Sequence, residues 1–114
     1  MPVPHPMSDP LAELIADRFR LLAEPTRIRI LDRLRDGELT VQELTAQLAT
    51  SQQNVSKHLG LLLRAGIVAR EKAGNFARYR IADPGVFALC EHVCGGLGRQ
   101  LDEMRALIGQ EVAR

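Results

Sequence analysis

The chain has 114 residues, of which 46% are hydrophobic and 4% aromatic, and its formal net charge is +1. This length suits one domain with a modest core, and the scarcity of aromatic side chains argues against a platform that stacks single-stranded nucleic acid. No apolar run approaches the roughly 20 residues of a membrane span and no signal peptide is evident, so we expect a cytoplasmic protein.

The first part of the chain predicts a short lead followed by two helices. Four prolines lie among the first ten residues, so residues 1–8 are expected to be disordered, ahead of a domain that spans residues 9–114. Asp9 is expected to cap the first helix. Pro25 is expected to start the second helix, which should end at Asp36-Gly37.

The next two helices predict a helix-turn-helix. Thr40 and Glu43 have the spacing of a capping box, which predicts a third helix that runs to Leu48. Ser51 is expected to cap a fourth helix that stops at Ala65-Gly66. Two short helices joined by a tight turn are typical of proteins that place the second helix in the DNA major groove.

A basic hairpin is predicted directly after the helix-turn-helix. Strands at 67–72 and 76–81 should flank a Gly74-Asn75 turn. Residues 51–80 carry six basic side chains against one acidic one, a charge of +5 within a chain of net charge +1. Positive charge concentrated in one such unit is an electrostatic footprint for phosphate, and the predicted partner is double-stranded operator DNA.

Several residues of the fourth helix and the hairpin are candidates for DNA contacts. Amide side chains can bond bidentately to adenine, while hydroxyl and basic side chains suit phosphates. The alternatives are a solvated polar face on the helix and a strand edge that charge protects from aggregation. The predicted DNA-binding residues are Ser51, Gln52, Gln53, Asn54, Ser56, Lys57, His58, Lys72, Asn75, Arg78 and Arg80.

A long last helix is expected from Pro84 to about Val112, with Asp83 as its cap. Its apolar side chains recur every three to four residues over about five turns, more than a small domain needs to close its core. The stripe predicts packing against a second copy of the chain, and a long core helix is the alternative. The predicted dimer-interface residues are Leu14, Val93, Leu97, Leu101, Met104 and Ile108.

Three segments carry a family resemblance. Residues 22–31 (LAEPTRIRIL), residues 56–68 (SKHLGLLLRAGIV) and residues 78–81 (RYRI) resemble the opening, recognition-helix and wing blocks of the ArsR/SmtB family of metal- and redox-sensing repressors. The resemblance covers about residues 15 to 95. It implies a mainly helical winged helix-turn-helix homodimer, joined through its first and last helices, whose repression an effector relieves.

The metal sites that the resemblance would imply are missing from this sequence. The arsenic- and cadmium-type site needs a Cys-x-Cys pair in the third helix, where residues 40–44 read TVQEL. For the zinc-type site, Asp83 is retained, but Gly85 and Gly96 occupy the positions of the two histidines. Neither site can therefore be carried over to this chain.

The cysteines form the remaining candidate effector site. Cys90 and Cys94 lie four positions apart, so both thiolates could meet one soft metal or metalloid ion, such as arsenite, zinc or cadmium. His92 points away from both, so a third ligand would come from His5 or from a second subunit. Thiol oxidation fits the same pair, and simple packing in a dimer seam is the alternative.

An enzyme is not expected. The sequence has no glycine-rich phosphate loop, no nucleophile with motif context and no evident carboxylate pair, and its three histidines are isolated from one another. The competing functions are a repressor with a thiol-based sensor and a DNA-binding regulator that responds to no small molecule.

Overall fold

The computed structural model describes residues 2–112, which form two compact units that divide between Ala82 and Asp83. The second unit is built on one long helix. The elements are α1 (Asp9–Leu22), α2 (Pro25–Leu34), β1 (Leu39–Thr40), α3 (Val41–Leu48), α4 (Gln52–Arg64), β2 (Val68–Ala73), β3 (Phe76–Ile81) and α5 (Gly85–Val112).

Side-chain caps set the starts of the first two helices. The Ser8 hydroxyl accepts a hydrogen bond from the Leu11 N–H at 3.3 Å, so Ser8 caps α1 and Asp9 is its first helical residue. The prediction of Asp9 as the cap was therefore wrong by one position. The Glu24 carboxylate caps α2 by accepting the Arg27 N–H at 3.0 Å.

The helix-turn-helix is confirmed. Thr40 and Glu43 form the predicted capping box at the start of α3. Ala49 then adopts a left-handed conformation with φ of 51°, which ends α3 and turns the chain. The Ser51 hydroxyl accepts the Asn54 N–H at 3.0 Å and opens α4.

The sheet has one strand more than the sequence predicted. Its antiparallel order is β1-β3-β2. The hairpin of β2 and β3 turns at Gly74, whose φ of +64° suits a residue without Cβ. The additional strand β1 pairs Leu39 with Tyr79 and Thr40 with Arg78 of β3. Two residues are too few to show an alternating pattern, which is why sequence periodicity did not reveal this strand.

The core of the first unit lies under α2, α3, α4 and the base of the hairpin. Helix α4 buries apolar side chains at helical spacing. Each of them stabilises the folded state by roughly 1.5–3 kcal/mol relative to an exposed side chain. Its opposite face is left for polar residues. The buried apolar side chains of this unit are Ile30, Leu31, Leu34, Leu44, Val55, Leu59, Leu62, Ile67, Val68 and Tyr79.

Helix α5 carries its apolar stripe on an exposed face. The side chains of Val93, Leu97, Leu101, Met104 and Ile108 are 48–61% exposed. The alternative of a long core helix is therefore wrong for this stripe. No helix within residues 2–112 is both long enough and apolar enough to cross a membrane.

Candidate nucleic-acid interface

The start of α4 presents a polar face. Gln52, Gln53, Ser56 and Lys57 are exposed, whereas Val55 is fully buried and fixes this part of the helix on the core. Because one side of the helix is anchored, the exposed side chains have a defined direction. They lie in the first turns of α4, the position from which such helices reach base edges.

Asn54 and Ser51 have local hydrogen-bonding roles as well. The Asn54 side-chain amide donates to the Thr50 hydroxyl at 3.1 Å, and Asn54 is half-buried. The exposed Ser51 caps the helix through its hydroxyl. Gln52 and Gln53 are the exposed amide side chains in the first turns of α4.

His58 does not belong to the exposed face. Its side chain is buried, with 5% of its surface exposed, and its Nδ1 accepts a hydrogen bond from Arg27 Nε at 3.0 Å. The prediction that His58 contacts DNA is therefore corrected. Helical spacing from Val55 to Leu59 and Leu62 places His58 on the same buried side, and this spacing is the signal that would have identified it.

The hairpin presents basic side chains on both of its faces. In β2 and β3, Arg70, Lys72, Arg78 and Arg80 are all exposed. The register pairs Arg78 with Glu71 and Arg80 with Ala69, so this face also carries the one acidic residue of the hairpin. Strand alternation places Arg70 and Lys72 on the other face. Asn75 is exposed in the turn between the strands.

Arg78 also lies near the start of α3. A shallow depression of about 250 Å³ is lined by residues of α3 and of the three strands. Hydrogen bonds from Thr40 lower the pKa of Glu43, and the nearby Arg78 lowers this pKa further. Arg78 thus lies near Glu43, and Glu71 is its partner in the strand register. The lining residues are Thr40, Gln42, Glu43, Ala73, Phe76 and Arg78.

The two cysteines of α5 are exposed free thiols four positions apart. Within residues 2–112, no three or more His, Cys, Asp and Glu side chains are grouped so that they could hold a metal ion. The predicted third ligand, His5, belongs to the first unit, whereas both cysteines belong to the second.

Comparisons with known proteins agree with this geometry. A family model described as a helix-turn-helix domain matches residues 22–71. The uncharacterized regulator Rv0081 of Mycobacterium tuberculosis is 38% identical over 102 residues, which are 89% of this chain and 90% of that protein. The regulator KmtR of the same organism is 33% identical over 84% of this chain and 79% of its own length.

Three solved structures extend the likeness to the fold. The crystal structure of Rv0081 has a TM-score of 0.75 at 39% identity and covers 84% of this chain and 97% of that one. The crystal structure of the antimony-specific repressor AntR has a TM-score of 0.75 at 30% identity and covers 87% of this chain and 90% of that one. The solution structure of Mb0332 from Mycobacterium bovis, a homodimeric winged helix-turn-helix domain, has a TM-score of 0.68 at 28% identity. It covers 88% of this chain and 95% of that one.

Proposed function

This chain belongs to the ArsR/SmtB family of helix-turn-helix transcriptional regulators, and from that premise we propose a homodimeric repressor that an effector at Cys90 and Cys94 releases from its operator. The family comprises DNA-binding regulators and not enzymes. Three parts of the proposal go beyond family membership: the DNA-reading residues, the dimer and the effector site.

The proposed DNA-reading residues are supported by the amphipathic structure of α4, which has one buried and one exposed side. Val55 is fully buried on one side, while Gln52 and Gln53 are exposed on the other. In this arrangement the two glutamines read base edges, and Ser56 and Lys57 contact phosphates. Lys72, Asn75, Arg78 and Arg80 of the hairpin add contacts to the DNA backbone beside the groove.

The exposed apolar side chains support the dimer. Leu97 is 61% exposed and Leu101 48%, while Leu14 of α1 is 67% exposed. A stripe of this kind on a helix of 28 residues is a surface that a second copy would remove from water. Mb0332, which has a similar fold, is homodimeric. Two copies would present two recognition helices to two half-sites of an operator.

The effector part rests on the cysteines. Cys90 and Cys94 are exposed and, at a spacing of four in α5, lie on one helix face. Thiolates favour soft ions, and the similar repressor AntR is specific for antimony. Arsenite, zinc or cadmium would take two thiolates from one chain and need a further ligand, which a cysteine of the second subunit can supply.

A second candidate function keeps the DNA-binding dimer and gives the cysteines no sensing role. It is favoured by the lack of any group of three potential metal ligands within residues 2–112. Both cysteines flank Val93, so they would then be small apolar residues that pack between the two subunits.

The DNA-reading part is tested by selection of bound sequences from a random duplex library with the purified chain. We expect enrichment of one sequence with two related half-sites about one DNA turn apart. Titration of that duplex with arsenite, zinc, cadmium and a thiol oxidant then separates the two candidate functions, since only the first responds. A library without enrichment contradicts sequence-specific binding.

A further inference from the structure

His58 is a buried titratable side chain in the middle of the recognition helix, and DNA reading by α4 makes no use of it. Its Nδ1 accepts a hydrogen bond from Arg27 Nε at 3.0 Å, and its Nε2 lies 3.6 Å from a carboxylate oxygen of Glu24. Both partners belong to the start of α2. His58 therefore joins the recognition helix to the neighbouring helix of the core.

Arg27 extends this connection to a third helix. Its side-chain NH1 donates to the Leu21 carbonyl at 2.9 Å, near the end of α1, where the last carbonyls lack partners within the helix. The Arg27 backbone N–H donates to Glu24 at 3.0 Å. In the described part of the chain, every buried side-chain nitrogen and oxygen has a hydrogen-bond partner. In this network, three hydrogen bonds thus hold Arg27 to Glu24, His58 and Leu21, while His58 Nε2 faces the Glu24 carboxylate at 3.6 Å.

The arrangement requires a neutral His58. An arginine side chain only donates hydrogen bonds, so the His58 nitrogen that faces Arg27 must be an unprotonated acceptor. The imidazole proton then lies on Nε2, the nitrogen toward Glu24. A second proton would add an N–H directed at the guanidinium, so the 3.0 Å hydrogen bond would be lost and two cations would face each other.

Burial and the surrounding charges together hold the pKa of His58 below its ordinary value, which favours the neutral form. Burial is the main cause that lowers the pKa of His58 below its ordinary value. Glu24 at the start of α2 acts in the opposite direction, while Arg27 of α2 and Lys57 of α4 lower the pKa further. The α1 side of the network contributes the uncharged Leu21 carbonyl through Arg27.

We propose that Glu24 and Arg27 are positioning residues that hold the recognition helix through neutral His58, so that protonation of His58 weakens operator binding. This inference rests on the proposed role of α4 in reading DNA. Gln52 and Gln53 lie one to two turns before His58 on the same helix. A movement of α4 that separates His58 from Arg27 therefore displaces these two side chains relative to the rest of the unit.

The sign of the pH effect distinguishes this role from a DNA contact. A histidine that faces phosphate gains positive charge on acidification, so DNA binding becomes stronger. A histidine that positions the helix in its neutral form has the opposite effect, because acidification disrupts the arrangement. The sequence alone placed His58 among the DNA contacts, and only the buried position in the structure reverses the expected sign.

The test is a pH profile of binding to the selected operator and to a random duplex, measured by fluorescence anisotropy from about pH 8 to about pH 5.5 at fixed ionic strength. For the unmodified chain, we expect operator affinity to fall about tenfold across this range. The double variant His5→Asn/His92→Asn is the control, since both histidines are exposed and lie outside the network. It should keep the profile of the unmodified chain.

Substitutions within the network sharpen the test. In His58→Asn, the side-chain oxygen can accept the Arg27 hydrogen bond near the position of Nδ1 and does not titrate. This variant should lose the pH dependence and retain more affinity at about pH 8 than His58→Leu, which leaves Arg27 without its acceptor. Glu24→Gln keeps an oxygen for the Arg27 N–H but removes the charge that favours protonation. Its loss of affinity should therefore move to lower pH.

Circular dichroism at each pH separates loss of binding from loss of fold. If His58→Asn does not fold, the inference is tested by Glu24→Gln, whose loss of operator affinity should occur at lower pH than that of the unmodified chain. Operator affinity of the unmodified, folded chain that stays constant or rises on acidification overturns the inference. A chain that does not prefer the operator even at about pH 8 overturns the proposed DNA-reading function instead, and the two failures are thus distinguishable.

Discussion

Thr40 and Glu43 cap helix α3 reciprocally. The Thr40 hydroxyl accepts the Glu43 N–H at 3.1 Å, and the Glu43 carboxylate accepts the Thr40 N–H at 3.1 Å. Thr40 is also the last residue of β1, where it pairs with Arg78 of β3. One threonine thus connects the first helix of the helix-turn-helix to the hairpin, so α3 and β3 share a fixed junction.

Replacement of Thr40 by alanine should destabilise the chain. The variant loses the hydroxyl that accepts the Glu43 N–H, and the usual cost of such a lost cap is about 1 kcal/mol. Urea denaturation followed by circular dichroism measures this loss. Thr45→Ala is a matched control, because it removes a hydroxyl bonded to the Val41 carbonyl within the same helix without touching the cap. Equal stability of Thr40→Ala and the unmodified chain contradicts the role of the cap.

Local patterns predicted most of the fold. The capping box at Thr40, the cap at Ser51 and the turn at Gly74 depend on residues within a few positions of one another. The α1 cap shifted from Asp9 to Ser8, because both side chains can cap a helix and only the backbone decides between them. Strand β1 was missed because its two residues are too few to show alternation and its pairing with β3 joins distant parts of the chain.

The candidate site was predictable only where exposure follows from helical spacing. Gln52 and Gln53 lie on the polar side of α4, as the sequence suggested. His58 was wrongly assigned to the DNA-contacting residues because it is polar, although helical spacing places it on the buried side of α4 with Leu59. Its partner Arg27 is 31 positions away, and no local pattern indicates a contact at that distance. Long-range pairs of this kind require the structure.

Lys57 and Gln53 should differ in their effects on DNA binding. Lys57→Ala should weaken binding to all sequences and reduce the salt slope by about one, as loss of a phosphate contact does. Gln53→Ala should cost about 1–3 kcal/mol on the operator and little on random DNA. Salt-dependent anisotropy titrations measure both. Gln110→Ala, at an exposed position of α5, is the control. Equal effects of the two substitutions on operator and random DNA contradict these roles.

Leu101→Glu should convert the dimer into a monomer. Leu101 lies in the middle of the apolar stripe of α5 and is 48% exposed in the single chain. A dimer that buries this side chain would also have to bury the introduced charge. Sedimentation velocity at micromolar concentration measures the change, and affinity for a two-half-site operator should fall with it. Gln110→Glu adds the same charge at an exposed position of α5 on the side of the helix opposite Leu101, and should remain dimeric. An unmodified chain that is monomeric refutes this interpretation of α5.

The double substitution Cys90→Ser/Cys94→Ser should abolish the effector response and leave operator affinity nearly intact. Both cysteines lie on α5, the helix proposed to join the subunits, so an ion or bond held by them acts on the element that sets the spacing of the two recognition helices. The half-sites are expected about 34 Å apart, so a small change in subunit angle misplaces one helix. A coupling free energy of about 1–3 kcal/mol is typical of such linkage and suffices to release a partly occupied operator. The measurement is anisotropy of the complex during titration with arsenite, zinc, cadmium or a thiol oxidant. If the double variant still dissociates on addition of the same compound, the cysteines only pack between the subunits.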